Sequence, residues 1–138
     1  MFDHCLYFNT SALARQLERE WSVAFKPFDL TPPQAFMLRA ILDRPGMLQR
    51  ELADALVIAR PTATRALDGL EQKKLISRRS SERDGRESTI HPTPAAAILK
   101  AALNDASATV TTRLKKRLGA GEFADTVTRV KQVRSTLV

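Results

Sequence analysis

Arginines and threonines crowded into the stretch RPTATRALDGLEQK are the residues of this sequence best placed to do chemistry, and that chemistry is recognition. Rotated by about 100° per residue, Ala63, Ala66, Leu67 and Leu70 fall in one arc of a helix, opposite Pro61, Thr64, Arg65, Asp68 and Gln72. An α-helix fits the major groove of B-DNA, where arginine pairs with guanine acceptors and threonine bonds a base edge or packs on a thymine methyl. Arg65 is the first candidate for base reading, with Thr64, Thr62 and Pro61 beside it and Arg60 nearer phosphate. The same residues also suit an ordinary solvated face. Catalysis finds no footing: His4, Cys5 and His91 have no metal-ligand spacing, and no glycine-rich phosphate loop accompanies them. An enzyme is therefore excluded, and no cofactor or metal is expected.

The neighbouring segment tilts the balance towards DNA. Arg78, Arg79, Arg83 and Arg86 crowd two short strand-like runs, Leu75 to Arg78 and Ser88 to His91, joined through an Asp84-Gly85 turn signal. A hairpin carrying arginine can enter the narrow minor groove, with Arg86 foremost. Asp84 then either orients that guanidinium, braces the reading helix, or bonds its own turn backbone. The net charge of +7 agrees with a polyanionic partner. Its distribution is uneven, with Lys/Arg and Asp/Glu balanced over residues 1–46, an excess of +2 over 47–94 and of +5 over 95–138.

The elements that position these residues are legible from spacing. Leu6, Leu13, Leu17, Trp21, Phe25 and Phe28 make one stripe and predict a first helix over about 4–25. Thr31-Pro32-Pro33-Gln34 carries a cap, a first-turn proline and a capping-box partner, so a second helix begins at Pro32 and stops near Arg44-Pro45-Gly46. Leu48, Leu52, Ala53 and Leu56 predict a short third helix, and residues 60–73 a fourth, the pair forming a helix-turn-helix. Thr93-Pro94 opens a long helix through Leu99, Leu103, Ala106, Val110, Leu114 and Leu118. After Gly119-Ala120-Gly121 a last one carries Phe123, Val127, Val130 and Leu137. The fold expected is mainly α with a small β-hairpin wing. A winged helix-turn-helix lobe spans about 32–94, and N- and C-terminal dimerisation helices span about 1–30 and 95–138. The apolar stripes of those terminal helices exceed what the lobe can cover, which points to a homodimer rather than a monomer folded on itself. No run is long and apolar enough for a membrane span, the start lacks a secretory signal, and a lone thiol suits a reducing compartment. A cytoplasmic location without membrane partners follows.

LTPPQAFML, QRELADAL, RPTATRALDGLEQKKLISR and ERDGRESTIHPTPAA together resemble the MarR family of bacterial regulators, and the resemblance runs over the whole chain. It implies an obligate homodimer with intertwined terminal helices, lobes reading a pseudo-palindromic double-stranded operator, and often a small ligand or oxidant that releases DNA. Position by position, the recognition contacts fall on Arg60, Pro61, Thr62, Thr64 and Arg65, and the wing pair on Asp84 and Arg86; Arg83 joins the expected DNA contacts as a cation of the same hairpin. Leu48 and Ala59 depart from the family's polar caps, and Val57, Lys74 and Ala96 from its glycines. A left-handed conformation at Lys74 would be strained.

Tyr7, Trp21, Phe25 and Phe36, with Phe8, Phe28 and Met37, are candidates for a pocket between dimer helices and lobe. A planar aromatic acid would suit it, with Arg15, Arg19 or Arg39 as carboxylate partner. The same aromatics also serve as plain core. Cys5 offers a second mechanism, thiol-based oxidant sensing, although the family's sensing position aligns nearer Tyr7, and a buried, inert cysteine is the plainer reading. A helical adaptor that has lost DNA binding is the remaining alternative.

Overall fold

The computed structural model describes residues 1–80 and 87–138. Along the described residues the elements follow in the order α1 (Leu6–Phe25), a 3-10 turn (Lys26–Phe28), α2 (Pro32–Asp43), β1 (Met47–Leu48), α3 (Gln49–Leu56), α4 (Arg60–Gln72), β2 (Ile76–Ser80), β3 (Ser88–Pro92), α5 (Pro94–Ala97), α6 (Lys100–Leu118) and α7 (Ala120–Thr136). Helices α2, α3 and α4 pack with an antiparallel sheet of order β1-β3-β2 into a winged helix-turn-helix. Pairing of Arg78 with Ile90 and of Met47 with Ile90 sets the register, so β3 is the central strand. The core gathers Phe25, Met37, Leu38, Ile41, Leu52, Leu67, Leu70, Ile90 and Leu103, all fully buried.

Local chemistry explains the boundaries. At the start of α2 the Thr31 hydroxyl accepts the Gln34 N–H while Gln34 Oε1 accepts the Thr31 N–H, the reciprocal box that the sequence signalled. Gly69 lets α4 lie directly against that same Gln34 side chain, where a Cβ would collide with its amide. The expected hairpin is present as β2 and β3, and Met47 and Leu48 add a third strand to β3 before α3 begins. One expectation needs correction. The single long helix expected from Pro94 is broken at Ile98–Leu99, where a tighter i→i−3 bond from Leu99 N–H to Ala96 O separates α5 from α6.

The terminal helices are apolar outwards. Leu6, Leu13, Val23, Leu118, Val127, Val130, Val133 and Leu137 are all exposed, and α7 contains no buried residue. Among the described residues, no helix is long and apolar enough to cross a membrane.

Candidate nucleic-acid interface

Helix α4 buries Ala63, Ala66, Leu67 and Leu70 and turns Arg60, Pro61, Arg65 and Asp68 outwards, as its periodicity required. Thr62 and Thr64 are half-buried at the edges of that face. The Thr64 hydroxyl is engaged on both sides, accepting from Gln49 Nε2 at 2.9 Å and donating to the Arg60 carbonyl at 3.1 Å. Gln49, a residue the sequence reading passed over, thereby ties the start of α3 to α4. Leu48 and Ala59 are the N-cap positions of α3 and α4, and neither supplies a side-chain cap. At Leu48 half the function survives, because Glu51 Oε1 accepts its N–H at 3.0 Å.

Both ends of the turn-helix unit are held in the left-handed region by non-glycine residues, Val57 at φ 56° and Lys74 at φ 60°. Each closes a Schellman arrangement: Ile58 N–H reaches Ala53 O and Leu75 N–H reaches Leu70 O, both at 3.0 Å. Asp29, at φ 55°, does the same after the 3-10 turn and was not foreseen. Ala96, by contrast, is helical and fully buried.

Arg83, Asp84 and Arg86 lie outside the described residues. The hairpin's base is described, with Arg79 exposed and Arg78 half-buried. Arg78 joins Asp68 of α4 at 2.8 Å. On the other side Arg50 of α3 pairs with Glu87 at 3.3 Å. Beside this second pair lies a cavity of about 280 Å³ lined by Gln49, Arg50, Ala53, Arg60, Ala63, Glu87 and Ser88. His91 Nε2 lies 3.0 Å from Thr89 Oγ1, and burial, then the charge of Arg79, lower its pKa.

Among the described residues, the aromatic side chains proposed for a ligand pocket lie at different depths of one protomer. Phe25 is core, meeting Phe36 edge-on at 6.0 Å. Tyr7 is 81% exposed at the far end of α1. Trp21 is half-buried and donates to Ser107 Oγ at 3.0 Å. Arg39 lies over the Phe36 ring and donates to Asn104 Oδ1 at 2.8 Å and Ser107 Oγ at 3.2 Å, so this junction links α1, α2 and α6. Burial lowers the Arg39 pKa. Arg15 and Arg19 are exposed on α1, and Arg19 borders a 630 Å³ groove between α1, α6 and α7. Cys5 is exposed, not buried. It caps α1, its Sγ accepting the Phe8 N–H at 3.5 Å. Among the described residues no cluster of three His, Cys, Asp or Glu side chains is placed to hold a metal.

Residues 28–87 match a family model described as the MarR family. A transcriptional regulator of the helix-turn-helix type from Bacillus subtilis, YybA, is 33% identical over 81 residues, which are 59% of this chain and 54% of that protein. The regulator MgrA of Staphylococcus aureus is 32% identical over 103 residues, 74% of this chain and 70% of its own. The chain thus spans little more than half of the first relative and about two thirds of the second. Among solved structures, the transcriptional repressor CouR bound to a 23-mer DNA duplex superimposes with a TM-score of 0.87 at 25% identity, over 96% of this chain and 94% of that one. MepR of S. aureus in a DNA complex gives 0.85 at 22% identity, over 97% and 99%.

Proposed function

This chain belongs to the MarR family of winged-helix regulators, and from that premise we propose that it binds double-stranded DNA as a homodimer and represses transcription at a pseudo-palindromic operator. One observation carries the reading: α4 presents Arg60, Pro61 and Arg65 on its outer face, with Thr62 and Thr64 at its edge, beside an arginine-bearing hairpin. Under this reading Arg65 reads a base, Thr62 and Pro61 contact base edges, Arg60 meets phosphate, and Arg83, Asp84 and Arg86 serve the minor groove. The Thr64 hydroxyl holds Gln49, so its methyl group is the part left for a thymine. Residues 32–94 form the reading lobe, and residues 1–30 with 95–138 the dimerisation region, whose outward apolar side chains a second copy would cover. Titration against the chain's own upstream intergenic DNA at several salt concentrations tests this. Sequence-selective, salt-steep binding supports it, and weak binding indifferent to sequence supports an adaptor instead.

The effector we propose is a small aromatic acid. Support comes from Arg39, stacked on Phe36 beside Trp21 and with only neutral acceptors among the described residues. Release of DNA by such acids in wild type but not in Arg39→Gln supports it. Release by organic hydroperoxide that Cys5→Ser abolishes would favour the oxidant mechanism instead.

A further inference from the structure

Asp68 stands on the outer side of α4 about one turn beyond Arg65, where a bare carboxylate would face DNA phosphate. It is not bare. Arg78 of β2 places one terminal guanidinium nitrogen 2.8 Å from Asp68 Oδ1 and its Nε 3.9 Å from Glu71 Oε2, the latter an ion-pair distance too long for a hydrogen bond. The Arg78 side chain is only 25% exposed, against 55% for Asp68 and 50% for Glu71, and its Nε is buried without a hydrogen-bond partner. Among the described residues these two contacts of Arg78 are the only ion pairs joining α4 to the hairpin.

We propose that Arg78 is a positioning residue for DNA recognition, clamping two acids one helical turn apart so that the hairpin keeps a fixed angle to α4. The inference rests on the DNA-binding reading above. Its physical content is geometric, because a half-exposed pair contributes little stability. A planar fork against carboxylates at i and i+3 limits rotation about the Lys74 turn, the sole covalent link between α4 and β2. A hairpin already held in place loses less freedom when its cations meet the groove beside the one α4 enters.

A competing account makes Asp68 and Glu71 mere negative charges near a polyanion, and the two accounts differ in sign. Removing the Asp68 charge should tighten DNA binding on electrostatics alone and weaken it if Asp68 anchors the clamp. The measurement is fluorescence anisotropy of the full chain on duplex from its own upstream region across a salt series. Asp68→Asn is expected to bind about three- to tenfold more weakly. Its log–log salt slope should be shallower by about one phosphate contact. Arg78→Lys, which keeps the charge and loses the fork, should shift the same way by a smaller factor. Asp68→Asn binding as tightly as wild type or tighter, or Arg78→Lys indistinguishable from wild type, overturns the clamp while the regulator reading stands. Wild type without sequence preference overturns both.

Discussion

Glycine should beat alanine at position 57, the reverse of their order inside a helix. Val57 closes α3 at φ 56° and ψ 49°, with its N–H on Asp54 O at 3.2 Å and the Ile58 N–H on Ala53 O at 3.0 Å. A residue with a Cβ costs about 1–2 kcal/mol in this region relative to glycine. Glycine gives back about 0.5–1 kcal/mol through the extra freedom of its unfolded chain. The difference leaves Val57→Gly more stable than Val57→Ala by about 0.5–1 kcal/mol, or roughly 2–4 °C in Tm. Using alanine as the reference removes the valine methyls from both sides of the comparison; they matter little anyway, since Val57 is 68% exposed. Thermal and urea unfolding followed by far-UV circular dichroism, at one fixed protein concentration, reads the order. Alanine equal to or above glycine would refute the strain argument and imply that this turn relaxes out of the left-handed region at little cost.

Four further outcomes are expected. Arg65→Ala should relax base preference at one operator position, losing about 1–3 kcal/mol of discrimination in competition binding. Ser107→Ala leaves the Trp21 and Arg39 donors without their shared acceptor and should lower stability by about 1–3 kcal/mol, read from the urea midpoint. The His91 pKa is lowered in the fold by burial and then by Arg79, so its contribution is present above the unfolded value near 6.5 and is lost as pH falls below it. Tm should therefore decline on acidification from pH 7 to 5, less steeply in His91→Gln. Dilution should lower Tm if the outer faces of α1, α6 and α7 bury against a second copy.

What the sequence made visible were features written in local chemistry. The Thr31–Gln34 box, the first-turn prolines and the outward Arg60, Pro61 and Arg65 follow from spacing within four residues, and the structure places each accordingly. Strand β1 escaped notice because two residues have no periodicity and Met47 finds its partner at Ile90, far along the chain. The break at Leu99 was hidden because a tightened turn leaves the apolar stripe nearly in phase. Arg78 had looked like one of four wing cations, and its commitment to Asp68 depends on how β2 folds back along α4. The signal was present only weakly, as acids at i and i+3 followed by an arginine on the next element. The aromatic residues show a related limit: periodicity gives a face, not depth, so Phe25 in the core and Tyr7 in solvent read alike.

Polar ties between elements, more than side-chain caps, orient the parts of this reading head on its apolar core. Leu48 and Ala59 leave two helix starts without side-chain caps, and the lobe is joined instead through Gln49–Thr64, Arg50–Glu87 and Arg78–Asp68. The two ion pairs are partly exposed, so salt screens them over the same distance of about 8–10 Å on which it screens phosphate. Added salt therefore acts on DNA affinity twice, once by counterion release and once by loosening the head. The Gln49–Thr64 bond carries no net charge and is indifferent to salt. The loosening must consequently fall on the hairpin's attachment to α3 and α4 and spare the contact between those two helices.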